Sequence, residues 1–460
     1  MYEAEVPPAP LDDFLHVLTP QQVARFEAAA ARARDVLAGR TVWNISSTET
    51  GGGVAEMLHS LLGYVGAAGV SSRWLIISGD SRFFEITKRL HNAVHGFGDV
   101  RLVPGAADHG HYQQIQDTNL PGVLAAVRPG DLAVLHDPQP AGLVKPLQQA
   151  GLQVIWRSHI GRDQPNEQST GAWDFIRRYV DSADAFVFSR PQYAPAWVPA
   201  DRLRVIPPSI DPLSTKNRLL AAEEQLRILV EAGLLAGNGA APAGVVTGAP
   251  APTPDTRLVV QVSRWDRLKD MAGVMAGFCL VAPDVPDAHL MLVGPATAGV
   301  TDDPEGADVF AECVAAWQDL AEPVRSRVHL VSVPMVDVEK NAAVVNAIQR
   351  HASVVTQKSL VEGFGLTVAE AMWKARPVVA SAVGGIQDQI RTNLDGLLLP
   401  DPTDLDHFGQ TLRTVLTDDG LAHRLGVAAK ARVHDQFLGD RHLTQYADLI
   451  ESLLGTAVAD

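Results

Sequence analysis

Two carboxylates, Glu362 and Glu370, flank the run Gly363-Phe364-Gly365-Leu366-Thr367. Glycine at 363 and 365 lets backbone N–H groups approach an anion closely, and a helix opening near Thr367 favours negative charge at its start. Such a turn suits a sugar held by one carboxylate, a phosphate at the turn and a ribose held by the other. The bare Glu-x7-Glu spacing arises by chance in a chain this acidic, so the context carries the signal. Residues 352–356 read as a buried strand before the turn and 367–374 as a helix after it.

Other chemistry-bearing residues fall where apolar runs end. Residues 258–262 run into Ser263-Arg264-Trp265-Asp266-Arg267-Leu268-Lys269-Asp270. Arg264, as a planar fork, and Lys269, as a point charge, could clamp a diphosphate there. The competing reading is a solvated mixed-charge loop, with Asp266 and Asp270 neutralising the bases. Nearer the N-terminus, Ser47-Thr-Glu-Thr precedes Gly51-Gly52-Gly53 and a helical pattern. Consecutive glycines cost backbone entropy unless a ligand approaches or a tight turn demands them. Asp137 and His159 also lie at apolar-run ends; each could meet a sugar hydroxyl or merely cap a chain end. Gly384-Gly385 reads as a further close-approach turn. The chain has neither a dinucleotide G-x-G-x-x-G turn nor a G-x-x-x-x-G-K-[ST] loop. The pairs Asp12-Asp13, Asp302-Asp303 and Asp418-Asp419 lack further oxygen ligands at a strand end, so no metal site is expected.

These residues need elements that hold them. Candidate strands are 41–45, 73–78, 131–136, 153–158, 185–189 and 203–206, with helical patterns such as 54–67 and 83–95 between them. A second series follows at 258–262, 289–293, 328–331, 352–356, 377–380 and 396–399. Strands alternating with helices predict parallel sheets covered on both faces, here two α/β, doubly wound, Rossmann-like domains facing an interdomain cleft. Pro207-Pro-Ser-Ile-Asp-Pro212 breaks the rhythm between the two series. An Ala/Gly/Pro-rich stretch at 236–256 reads as a flexible surface insertion without catalytic content.

Composition narrows the function. At 460 residues, with 46% hydrophobic and 20% charged residues, the chain suits two or three globular domains. A formal charge of −15 and the absence of a basic block argue against nucleic-acid partners. Mean hydropathy near zero, with no long apolar run and no basic-then-apolar leader, predicts a cytoplasmic protein that does not enter membranes. Cys279 and Cys313 are too few for a disulfide framework or a four-cysteine zinc site and are expected to pack in the core.

Arg264-x4-Lys269 followed by Glu362-x7-Glu370 resembles the retaining nucleotide-sugar glycosyltransferases of family 4, which have the GT-B fold. Gly51–Ser60, His136-Asp-Pro-Gln139, Arg157-Ser-His-Ile160, Pro207–Pro212, Val345–Arg350 and Gln357–Gly365 are similar to its trehalose-forming branch. That branch holds glycosyltransferring trehalose synthases and retaining trehalose phosphorylases, and the resemblance covers roughly 40–435. It implies an acceptor-side domain at 40–212 and a nucleotide-sugar domain at 213–435, while an acidic, amphipathic pattern before them predicts a helical lead-in at 1–39. A terminal helix at 436–460 would pack back on the first domain.

The resemblance also implies roles. Glu362 would lie beside the donor sugar hydroxyls and Glu370 at the ribose, with backbone groups of Gly363–Thr367, Phe364 and Leu366 included, on sugar and phosphate. Arg264 and Lys269 would stabilise the departing diphosphate. Asp137 and His159 would stand near the transferred glucose, with Gly51, Gly52 and Gly53 closing over it. The implied substrates are an NDP-glucose donor and a small sugar acceptor. No tightly bound cofactor is expected, Mg2+ serving at most as a nucleotide counter-ion, and a homodimer is compatible. Trehalose phosphorolysis, transfer to another acceptor and a non-catalytic sugar- or nucleotide-binding regulator are the alternatives. Where the synthases usually carry an acidic residue after Arg-x-His-Ile, Gly161-Arg162 stands here, which leaves the acceptor open.

Overall fold

The computed structural model describes residues 1–50, 52–237, 245–246, 251–296 and 304–455. Gly51 and much of the expected insertion lie outside the described residues. The chain forms two compact units, Met1–Asp211 with Leu438–Asp460, and Pro212–Phe437.

The first unit contains β1 (Tyr2–Glu3), β2 (Val42–Ser46), β3 (Ser72–Ile76), β4 (Leu132–His136), β5 (Gln153–Arg157), β6 (Ala185–Phe188) and β7 (Leu203–Val205). They form one sheet in the order β1-β3-β2-β4-β5-β6-β7, parallel except for β1 on β3. Every residue of β2 and β4 is buried, as strands covered on both faces require. Alternation along the strands then divides the core. Trp43, Ile45, Leu135 and Trp156 pack on one face with Phe83 and Ile176. Val42, Val134 and Ile155 pack on the other with Leu449, Ile450 and Leu454 of the terminal helix Gly439–Gly455. Burying those three side chains stabilises the helix's docking by about 2 kcal/mol each. Asn44 and His136 share the period-2 register of Val42 and Val134, so they face the same side.

The second unit contains β8 (Val245–Val246), β9 (Arg257–Val262), β10 (Ala288–Pro295), β11 (Val328–Val333), β12 (Val354–Gln357), β13 (Val378–Ser381) and β14 (Leu397–Leu399). Their order is β14-β13-β12-β9-β10-β11-β8, parallel except for β8 on β11. The two edge strands β1 and β8 escape sequence reading because each spans only two residues. Within the expected insertion at 236–256, β8 pairs Val245 with Val331 and Val246 with Leu330.

Each sheet reverses direction once. In the first, the chain runs from β2 to β3 on one side and returns to β4 on the other side of β2. In the second it runs β9, β10, β11 and returns to β12 beside β9. Loops leaving the C-terminal ends at such a reversal diverge and leave a crevice for ligand. Among the described residues, no helix is long and apolar enough to cross a membrane.

Candidate active site

Two loops leave the neighbouring strands β9 and β12. In the first, Asp266 accepts from Leu268 N at 2.8 Å and caps the turn Arg267–Lys269. Asp270 then adopts the left-handed conformation, φ 49°, and caps the helix Met271–Val281 by accepting from Gly273 N at 3.1 Å. A left-handed aspartate is uncommon and costs about 1 kcal/mol. The two caps direct Lys269 and Asp270 towards the second loop. Lys269 Nζ donates to Glu362 Oε2 at 2.7 Å. Lys358 Nζ, buried, donates to Asp270 Oδ2. Ser359 Oγ donates to the same Glu362 oxygen at 3.2 Å. Consecutive residues of one loop are thus paired with the other loop by opposite charges. The Lys269–Glu362 pair is only 16% and 12% exposed, so its field is weakly screened.

The glycine turn is held from behind. Gly365 sits at φ 82° and opens the helix Leu366–Trp373. Gly385 N donates to Gly363 O at 3.0 Å. A Cβ on Gly385 would lie 2.8 Å from Phe364 Cα and 2.9 Å from Gly363 O, so only glycine fits. The buried Gln389 side chain donates to the carbonyls of Phe364 and Gly365. With the carbonyls of the turn engaged from this side, its shape is set by neighbours rather than by its own sequence. Thr367 Oγ1 donates to Gln357 Oε1 at 3.0 Å, tying the helix start to β12.

Glu370 points inward from that helix and is 4% exposed. Its Oε1 lies 3.8 Å from Lys216 Nζ. The Val345–Arg350 motif explains how Lys216 reaches it. Asn346 Nδ2 donates to Thr215 O and Arg218 O, both at 2.9 Å, and Arg350 Nη2 donates to Asn217 O at 2.8 Å. Burial pushes the Arg350 guanidinium down to about 10. Lys374, also buried, bonds Asn217 Oδ1 at 3.0 Å, Gln349 Oε1 at 2.8 Å and Glu370 O at 3.2 Å. Arg264, on the same loop as Lys269, pairs with Asp266 at 3.2 Å, and its side chain is half-exposed. That is the mixed-charge loop pairing, worth little by itself.

In the first unit, Gly52 takes φ 155° before the helix Gly53–Ala67. A Cβ there would meet nothing within 4 Å, so the backbone angle rather than crowding calls for glycine. Asp137 follows β4 in the left-handed region, φ 64°. Its Oδ1 accepts from His159 N at 2.7 Å, so the carboxylate fixes the exit of β5 as a cap would. Desolvation pushes its carboxyl up to about 6. His159 Nε2 lies 3.0 Å from His136 Nδ1, and His136 Nε2 lies 3.1 Å from Asn44 Oδ1. Burial, with the Arg157 cation nearby, holds His136 down to about 3 and His159 well below the usual imidazole range. Gly161 is required by the ring of Tyr193, which a Cβ would meet at 2.2 Å.

The structure therefore brings Lys269, Glu362 and the 363–367 turn together, sets Glu370 against Lys216, and joins Asp137 to His159. Lys216, Lys358, Asp270, Gln389, Asn44 and His136 were not singled out from sequence as site residues. Lys358 lies within the Gln357–Gly365 run and was recoverable from it. Lys216 follows a proline-rich break and carried no local signal.

A family model described as "Trehalose synthase, N-terminal domain" matches 44–195, and one described as "Glycosyl transferases group 1" matches 250–432. A trehalose synthase of Pyrococcus horikoshii is 32% identical over 97% of this chain and 97% of its own length. The chain belongs to the trehalose synthase family. It is accordingly a retaining NDP-sugar glycosyltransferase of the GT-B fold. A trehalose phosphorylase of Pleurotus pulmonarius is also similar, 26% identical over 85% of this chain and 54% of its own length. Among solved structures, a sucrose-phosphate synthase from Thermosynechococcus elongatus shares the fold, with TM-score 0.65 at 19% identity over 91% of this chain and all of its own.

Proposed function

We propose that this chain moves glucose from a nucleoside diphosphate glucose to the anomeric hydroxyl of a second glucose, forming α,α-trehalose. The observation that carries the reading is the Lys269–Glu362 pair at the reversal of the second sheet, 2.7 Å apart and beside the 363–367 turn. Breaking the glycosidic C–O bond builds positive charge on the sugar and negative charge on the leaving diphosphate. Lys269, Arg264 and the N–H groups at the start of the helix Leu366–Trp373 would stabilise that diphosphate. One preorganised donor of this kind contributes about 3 kcal/mol to the transition state. Glu362 would hold the donor sugar hydroxyls while keeping Lys269 aimed.

Glu362 and Glu370 do not form a hydrolytic acid–base pair, because each is committed to a different cation. Glu370 would receive the ribose hydroxyls. Retention then follows from attack on the face the diphosphate leaves, with the leaving phosphate taking the acceptor's proton. No resident cofactor is required, and Mg2+ would act only as a counter-ion of the nucleotide.

A phosphorylase would use inorganic phosphate instead and would have no purpose for a ribose-binding carboxylate. The buried Glu370 beside Lys216 therefore favours the nucleotide. The test is a matrix of UDP-, ADP- and GDP-glucose against glucose and other acceptors, with products resolved by NMR. An α,α-linked disaccharide is expected. Its absence with every donor overturns the trehalose reading.

A further inference from the structure

A chain of hydrogen bonds in the first unit starts at an atom that can only accept. The backbone carbonyl of Val42 receives Ser72 Oγ–H at 3.3 Å. With its hydrogen committed there, the Ser72 oxygen accepts from Asn44 Nδ2 at 3.2 Å. That orients the amide and leaves Asn44 Oδ1 facing His136 Nε2 at 3.1 Å. A carbonyl oxygen cannot donate, so His136 carries its hydrogen on Nε2. A neutral imidazole has one N–H, so His136 Nδ1 is bare and accepts from His159 Nε2 at 3.0 Å. His159 then has its hydrogen on Nε2 and a lone pair on Nδ1.

We propose that Ser72, Asn44 and His136 are positioning residues that hold His159 as the Nε2–H tautomer, so that its Nδ1 accepts a hydrogen bond from a sugar hydroxyl. The proposal rests on the sugar-transfer reading for the identity of that hydroxyl, but not for the tautomer. The surroundings favour neutral rings. His136 and Asn44 are 4% and 6% exposed. Arg157 carries positive charge close by and disfavours imidazolium at both His136 and His159. His136, His159 and His442 border one mostly apolar cavity of about 110 Å³, and His442 is engaged with Ser209 Oγ at 3.0 Å. The site would thus select ligand groups that can donate, a hydroxyl rather than a fluoro or deoxy position.

The experiment is 15N NMR on the full chain labelled at histidine, with the His159 signals assigned by their loss in His159→Gln. At neutral pH, a protonated Nε2 and a bare Nδ1 are expected. A protonated Nδ1, or an imidazolium, overturns the proposal. His136→Phe removes both bonds and should give mixed tautomers at His159. Asn44→Leu should do the same by freeing His136, and serves if His136→Phe does not fold. A tautomer unchanged in Asn44→Leu would show that the relay does not control it. In the transfer assay both disruptive variants should lose about tenfold in kcat/KM, the scale of one hydrogen bond. An inactive wild-type chain with the expected tautomer would refute the transfer reading and leave this inference standing.

Discussion

Each of the two acidic residues that frame the donor turn has its own cation, and this decides what each can do. Glu362 is held against Lys269, and Glu370 is buried beside Lys216. Lys269→Ala should lower kcat by about 10²- to 10³-fold, the cost of removing one preorganised donor, measured under saturating donor. Glu370→Gln should instead raise KM for the nucleotide sugar and change kcat far less, because a ribose grip is equal in ground and transition states. A matching loss with inorganic phosphate as co-substrate would point to a different use of Glu370. The Gly161-Arg162 departure has a steric origin at this same scale. Tyr193 occupies the space a side chain at 161 would need, so Gly161→Asp should lower the melting temperature of the full chain.

At the level of elements, the donor turn is a part-shaped piece held by its neighbours. Gly385 and Gln389 set the 363–365 backbone from one side, and Thr367 ties the helix to β12 from the other. Gly385→Ala puts a methyl against Phe364 Cα and Gly363 O. Displacing the turn by a fraction of an ångström should reduce kcat/KM by about a hundredfold. Steady-state kinetics with the same donor, alongside a melting curve, separates that loss from unfolding. Most strand positions were legible from apolar runs, β9 and β12 among them, because fully buried parallel strands leave uninterrupted hydrophobic signals. Gly385 reads as a close-approach turn, but that it and Gln389 support the 363–365 backbone does not show in sequence, since both lie well beyond that segment.

Across the whole molecule, the terminal helix supplies the first unit with both apolar cover and buried polar groups. Arg441 donates to Pro207 O at 2.8 Å and to Pro208 O at 2.9 Å, and His442 bonds Ser209. His136, His159 and His442 all titrate below the ordinary imidazole range in the folded chain. The unfolded chain therefore takes up protons from about pH 6.5 downward while the folded one resists, so stability falls as pH drops through that window. Asp137, raised to about 6, works in the opposite direction between roughly pH 4 and 6. The three histidines outweigh it. Melting temperatures of the full chain should fall from pH 7 to pH 5, and His442→Asn should flatten that slope; an unchanged slope would show that His442 is not held neutral.

The sequence by itself determined where strands end and which charged or glycine residues stand at those ends, since burial patterns and turn chemistry are local. It therefore marked Glu362, Glu370, Lys269, Asp137 and His159. Tertiary structure decided their partners: Glu362 at Lys269, Lys216 at Glu370, and the Ser72–Asn44–His136 chain behind His159. Those pairings join residues far apart in the chain. They depend on strand order and on where each sheet reverses, which local periodicity does not encode.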